Sequence, residues 1–174
     1  GTISTHAINA SLYAKMPYDP LTELTPLVRV CLAPIALVVT ADTPDGPMGI
    51  TVNSFTSVSL KPRLVLWCID ERSDRWPVFA AADRFAIHVL PAGDRELASR
   101  FAKGVRILAE GEFTRVGEGP PGLPEALARF DCTAHEHIPM GDHMILVGRV
   151  ERFSGSDGEA LTYFRGRYGR VAEA

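Results

Sequence analysis

Long apolar runs are missing from this 174-residue chain. The two longest, at residues 33–40 and 64–69, fall far short of the roughly 20 residues that a membrane-spanning helix needs, so no membrane partner is expected. Cysteine is scarce as well. Cys31, Cys68 and Cys132 form an odd, widely spaced set, which argues against a disulfide framework and suits reduced thiols in a cytoplasmic setting. No excess of positive charge exists either: 18 Lys and Arg against 21 Asp and Glu leave a formal net charge of −3, giving no broad basic field for nucleic acid. The opening residues, GTISTHAINA, carry neither the basic cluster nor the apolar stretch of a secretory signal. Internal repeats and low-complexity segments are also lacking.

What the chain does have is enough apolar residues, 46% against 22% charged, to bury one substantial core. Pro17, Pro20 and Pro26 break residues 1–30 into an atypical arm ahead of a single domain at residues 31–174. From residue 35, β-rich runs recur at 35–40, 50–60, 64–69, 85–90, 111–116, 130–138 and 143–153, separated by turn signals such as DTPDGP, LKPR, PAGD, PMGD and SGSDG. Two short helices are predicted. Ser73 or Asp74 would cap one running through Trp76 to Ala82, and Gly93 or Asp94 would open another through Leu97, Ala98 and Phe101. Because the strands lack the regular intervening helices of parallel βαβ units, the expected fold is mainly β, a barrel or sandwich with short flanking helices.

Two motifs invite chemistry that the residues do not support. Gly117, Gly119 and Gly122 spell G-x-G-x-x-G, but Pro120 and Pro121 remove backbone N–H donors that a dinucleotide pyrophosphate would need. A proline-rich surface loop is the expected reading. Cys132, His135, His137 and His143 resemble a metal cluster only superficially. Their spacing fits no closed zinc pattern, and strand alternation puts Cys132 on the face opposite His135 and His137. No metal site is expected. A G-x-S-x-G nucleophile elbow is also absent.

The stretch GITVNSFTSVSLKPRLVLW at residues 49–67 places Thr51, Asn53, Ser54, Thr56, Ser57 and Ser59 among apolar Ile50, Val52, Phe55 and Val58. Such a mixture suits a flat heterocycle, whose ring needs apolar contact and whose edge needs directional hydrogen bonds. It equally suits an edge strand with Thr and Ser facing water. His143 follows the turn PMGD at the start of a strand, where a sheet can hold a side chain toward a ligand.

Six blocks in order resemble the flavin reductase family, whose members adopt the FMN-binding split β-barrel of Greek-key type: GITVNSFTSVSLKPRLVLWCIDERS at 49–73, RFAIHVL at 84–90, ELASRFA at 96–102, ARFDC at 128–132, GDHMILVGRVE at 141–151 and LTYFRGRYGRV at 161–171. The resemblance implies that Thr51, Val52, Asn53, Ser54, Ser57, Val58 and Ser59 line the flavin ring and ribityl chain. It implies that Cys68, Ile69, Asp70, Arg72 and Ser73 hold the ribityl and phosphate region, with Arg100, Phe101 and Lys103 approaching from the phosphate side. By the same resemblance His143 borders the nicotinamide, and Arg165 and Tyr168 close over the cleft.

Transfer of a hydride from NADH or NADPH to FMN or FAD is the activity so implied, with reduced flavin passing to a separate monooxygenase component. The resemblance also implies a homodimer, to which exposed Trp67, Trp76 or Phe79 would contribute. The competing expectation is a flavoprotein that binds FMN tightly as an electron carrier or store and turns over no nicotinamide. Residues 1–30 depart from the family pattern and look instead like a segment of the periplasmic receptors of tripartite tricarboxylate transporters.

Overall fold

In the computed structural model, which describes residues 35–104 and 106–170, the β-rich runs pair into one seven-stranded sheet of order β2-β1-β5-β6-β7-β4-β3. Its strands are β1 (Leu37–Ala41), β2 (Met48–Val52), β3 (Thr56–Leu60), β4 (Arg63–Asp70), β5 (Arg84–Val89), β6 (Ala128–Met140) and β7 (His143–Gly155). Every pairing is antiparallel. Helices α1 (Trp76–Ala81) and α2 (Arg95–Lys103) flank the sheet, and β8 (Leu161–Phe164) and β9 (Arg167–Arg170) form a separate hairpin. The arm at residues 1–30, with Cys31, lies outside the described residues. No described helix is long and apolar enough to cross a membrane.

One connection dictates the shape. β2 and β3 lie at opposite edges of the sheet, yet only residues 53–55 join them. Laid flat, seven strands would hold those edges about 29 Å apart, whereas the four Cα steps from Val52 to Thr56 reach at most about 14 Å. The sheet must therefore curl until its edges approach, and because β2 and β3 do not pair, a split remains between them.

Alternation fills the interior. On β4, Val65, Trp67 and Ile69 are buried while Leu64, Leu66 and Cys68 are only half-buried, so one face of the strand packs inward. These residues join Leu37, Val39, Phe85, Ile87, Phe130 and Leu146 in the main core. Trp67 meets Phe79 of α1 edge-on, centroids 5.1 Å apart, and both are fully buried, so neither is the exposed interface residue expected from the sequence. A second core lies under α2, where Val38, Leu90, Ala98, Phe101, Leu123 and Leu161 gather. There β2 passes so close that a Cβ on Gly49 would sit 2.9 Å from the Phe101 ring.

Several expectations need correcting. The run at 50–60 is two strands, broken at 53–55, and the run at 111–116 makes only an isolated bridge between Thr114 and Gly122, because positive-φ glycines at 111 and 117 bracket it. The β8–β9 hairpin escaped notice. Its turn has positive φ at both Arg165 and Gly166, the pattern of a type I′ turn, at a position where Arg gives no sequence signal. Arg75 rather than Ser73 or Asp74 holds the N-cap position of α1, and neither helix has a side-chain cap bond.

Strand β6 carries a bulge between Ala134 and Glu136, which leaves His135 unpaired and reverses the alternation beyond it. Cys132, Ala134 and His137 therefore oppose Val150, Gly148 and Leu146 on one face, contrary to the expected separation of Cys132 from His137. His137 turns toward Trp76 of α1, ring centroids 6.2 Å apart.

The glycine motif is not a surface loop throughout, since Pro120, Pro121 and Gly122 are buried. It wraps Asp131, which is 4% exposed and paired with Arg129 at 2.6 Å and Arg152 at 3.1 Å. Arg129 donates to the Pro120 carbonyl and Arg152 to that of Val116. A Cβ at Gly122 would fall 1.8 Å from the Arg129 guanidinium. His88, fully buried, anchors the same loop: its Nδ1 lies 2.9 Å from the Val38 carbonyl, and the Leu123 N–H donates to its Nε2 at 3.1 Å.

Candidate functional site

The split between β2 and β3 collects most of the polar residues singled out in the sequence. Residues 53–55 cross it. Phe55 plugs the loop into the core beside Phe130, centroids 5.4 Å apart. Ser54 fixes its other side: the hydroxyl accepts from the Cys68 N–H at 2.9 Å and donates to the Cys68 carbonyl at 3.2 Å. Between strand end and plug, Asn53 is left exposed.

On the β3 side, a register shift between Ser57 and Ser59 pushes Val58 outward to 50% exposure. Ser57 is buried opposite Val65, and Ser59 is half-buried opposite Leu64. On the β2 side Val52 packs against the core, and Thr51 donates to the Ala98 carbonyl at 2.7 Å, tying β2 to α2. Hydroxyls of Thr51 and Ser54 thus have structural partners, and their part in the slot is to hold its walls.

β4 ends on the same rim. Cys68 is half-buried, and burial pushes its thiol pKa up against the opposing hydrogen bond with Ser54, so it is a protonated thiol and no nucleophile. Ile69 faces the core. Asp70 pairs across the sheet with His143 and receives both the Arg72 backbone N–H at 2.8 Å and its guanidinium fork at 3.0 and 2.8 Å. Those bonds hold its carboxyl down at about 2. His143 Nδ1 lies 2.8 Å from the Asp142 carboxylate, and that contact lowers the Asp142 pKa. Ser73 folds back on this turn, its N–H donating to the Asp70 carbonyl at 2.9 Å.

Other expected residues stand differently. Arg100 grips Glu112 through both guanidinium nitrogens, at 2.5 and 2.9 Å, and donates to the Ile107 carbonyl at 3.0 Å. That grip lowers Glu112 to about 2. Phe101 is fully buried in the second core, which removes its ring from any ligand surface. Lys103 is exposed at the end of α2. Arg165 and Tyr168 sit on the hairpin that docks near Leu90, where the Leu161 N–H donates to the Leu90 carbonyl. That is the Gly155 end of the ladder, whereas His143 begins the other end of β7. A residue the sequence reading passed over, Arg75, is buried on the turn after β4, and its backbone N–H donates to Ser73 Oγ at 3.3 Å.

Comparison with known proteins decides the family. The Flavin reductase like domain model matches residues 28–172. The chain belongs to this family. This flavin reductase-like chain is 47% identical over 135 residues to the FMN reductase (NADH) SmoA of Agrobacterium fabrum, covering 78% of each. It is 38% identical to Stc3 of Rhizobium meliloti, the stachydrine N-demethylase reductase subunit, covering 75% of this chain and 58% of that one. Among solved structures, the NADH:FAD oxidoreductase SgcE6 of Streptomyces globisporus, in complex with NAD and FAD fragments, superposes with a TM-score of 0.73 at 32% identity, covering 91% of this chain and 98% of that one.

The residues present fit a flavin. Exposed Val58 offers apolar contact beside the hydrogen-bonding edge of Asn53, and the walls are fixed before any ligand arrives. His143 with Asp142 supplies a histidine–carboxylate pair at the mouth, and no nucleophile–base pair accompanies it among the described slot residues.

Proposed function

We propose that the chain is an NADH-dependent flavin reductase that binds FMN or FAD in the split between β2 and β3 and presents it to a nicotinamide beside His143. The observation that carries this reading is the meeting of the 53–55 loop, β4 and His143 on one rim, through the Ser54–Cys68 bonds and the Asp70–His143 pairing, in a chain nearly half identical to an NADH-dependent FMN reductase. When bound, the flavin supplies the hydride acceptor. The protein's task is then to stack two rings at contact distance and keep water out. Asn53 and the backbone at 52–54 meet the polar edge of the ring, and Val58 meets its face. His143, steadied by Asp142, orients the nicotinamide as a hydrogen-bonding group, and no proton transfer is required of it.

In this reading the protein works as a homodimer, in which Arg165 and Tyr168 of a second copy close the slot. The relation to Stc3, a reductase subunit, supports a separate oxygenase as consumer of the reduced flavin, in a cytoplasmic two-component system. NADPH is the alternative donor, with Arg165, Arg167 and Arg170 available to a 2′-phosphate.

The test is to mix protein with NADH or NADPH and excess FMN, FAD or riboflavin and follow nicotinamide absorbance. Catalytic loss of the NADH band supports the reductase. A protein that keeps bound FMN and consumes neither nicotinamide is instead an electron carrier or store.

A further inference from the structure

Few large apolar side chains stay in solvent among the described residues, and one of them, Met140, is 59% exposed. Met140 ends β6, and across the turn at Gly141 and Asp142 its ladder partner is His143. Residues directly opposite one another in an antiparallel pair project from the same face, with Cβ atoms about 5 Å apart. Asp70 is the partner of His143 on its other side, so Asp70, His143 and Met140 form one row along the rim. The other described methionines are sheltered: Met48 is 9% exposed, and Met144 is half-buried against the main core. An exposed thioether adds little packing, yet it carries a chemistry that leucine lacks, because its sulfur is readily oxidised.

The reaction proposed above yields an oxidant whenever its product is not taken up. Dioxygen removes two electrons and two protons from neutral reduced flavin, giving oxidised flavin and hydrogen peroxide. A thioether sulfur then attacks the peroxide. An S–O bond forms, the O–O bond breaks, the sulfur gives up two electrons, and the departing oxygen leaves with both protons as water. Dioxygen is the only co-reactant.

We propose that Met140 is an oxidation site through which peroxide from unconsumed reduced flavin slows further use of nicotinamide. The sulfoxide oxygen is an acceptor on a flexible arm, within reach of the His143 imidazole. Asp142 holds that ring by its Nδ1 at 2.8 Å, and a neutral imidazole has a single N–H to give. The sulfoxide competes with Asp142 for it and turns the ring out of its orienting position. Met140 itself takes no part in turnover. The change is reversible, since methionine sulfoxide reductases restore the thioether. The inference rests on the reductase reading above.

The experiment incubates the protein with NADH and FMN in air, with the same mixture under nitrogen, and with hydrogen peroxide alone. Peptide mass spectrometry with fragmentation separates Met140 from Met144, and KM for NADH and flavin affinity are measured on each sample. The expected result is a gain of one oxygen at Met140, ahead of Met48 and Met144, in air and in peroxide but not under nitrogen. The KM for NADH should rise about fivefold, the worth of one hydrogen bond, with flavin affinity within about twofold. Treatment with a methionine sulfoxide reductase and dithiothreitol should restore the KM. M140L should start at the wild-type rate and keep its KM in peroxide. Met140 unmodified by turnover in air or by added peroxide, an unchanged KM after its oxidation, or an M140L protein that loses NADH affinity in peroxide as wild type does, each overturns the proposal and leaves the reductase reading intact. A wild type that consumes no NADH overturns both.

Discussion

Ser54 and Cys68 are joined twice, the serine hydroxyl accepting from the cysteine N–H and donating to its carbonyl. A side chain takes the part of a ladder residue here, continuing the β3–β4 pairing one step beyond Thr56 and Leu66. S54A should cost about 1–2 kcal/mol, since it orphans a backbone N–H and a carbonyl. It should also weaken riboflavin and FMN alike, because the wall itself moves. Urea unfolding and flavin titration check both. Loss of stability without loss of flavin affinity would separate this bond from the slot.

Gly49 lies 2.9 Å from the Phe101 ring at its missing Cβ, and that ring is fully enclosed. G49A should destabilise by about 1–3 kcal/mol through overpacking. The double change G49A/F101L should recover part of that loss by making room. Denaturant midpoints of the two variants test the pairing.

His88 has a pKa pushed down to about 4 from an ordinary 6.5, chiefly by burial. Since the unfolded chain binds this proton more readily than the folded one, stability is fully present above pH 6.5 and falls as pH drops toward 4. The whole drop is roughly 3 kcal/mol. H88F should be less stable at pH 7, because the Leu123 N–H loses its acceptor, yet should lose less on acidification between pH 6.5 and 4.5. Urea midpoints at pH 7, 5.5 and 4.5 give the comparison.

His143 is exposed and bonded to Asp142, so H143A should fold normally. Nicotinamide KM should rise or kcat/KM fall by about tenfold, with flavin affinity little changed. Unchanged steady-state kinetics would remove it from the mechanism.

The sequence made the strand content legible because the runs 35–40 and 64–69 bury a whole strand or alternate residues, and that pattern survives in β1 and β4. It also led to the 53–59 segment, since hydroxyls between two apolar runs are costly unless bonded. What it did not reveal was which hydroxyls and cations are engaged internally. Thr51, Ser54 and Arg100 hold partners 47, 14 and 12 residues away, contacts that only the fold creates, while Arg72 is taken by Asp70 within one tight turn. Phe101 was misplaced for the same reason. Its motif is real, but the ring serves the core beneath Gly49. Arg75 was overlooked because an arginine on a turn after a strand ordinarily faces water.

The brevity of the 53–55 link carries a last consequence. Because so few residues span the gap, its breadth is inherited from the curvature of the entire sheet and cannot be widened on its own. Inserting a single glycine after Asn53 should therefore relax the whole cylinder: melting temperature and ring-binding strength should decline in step, although no side chain has been removed.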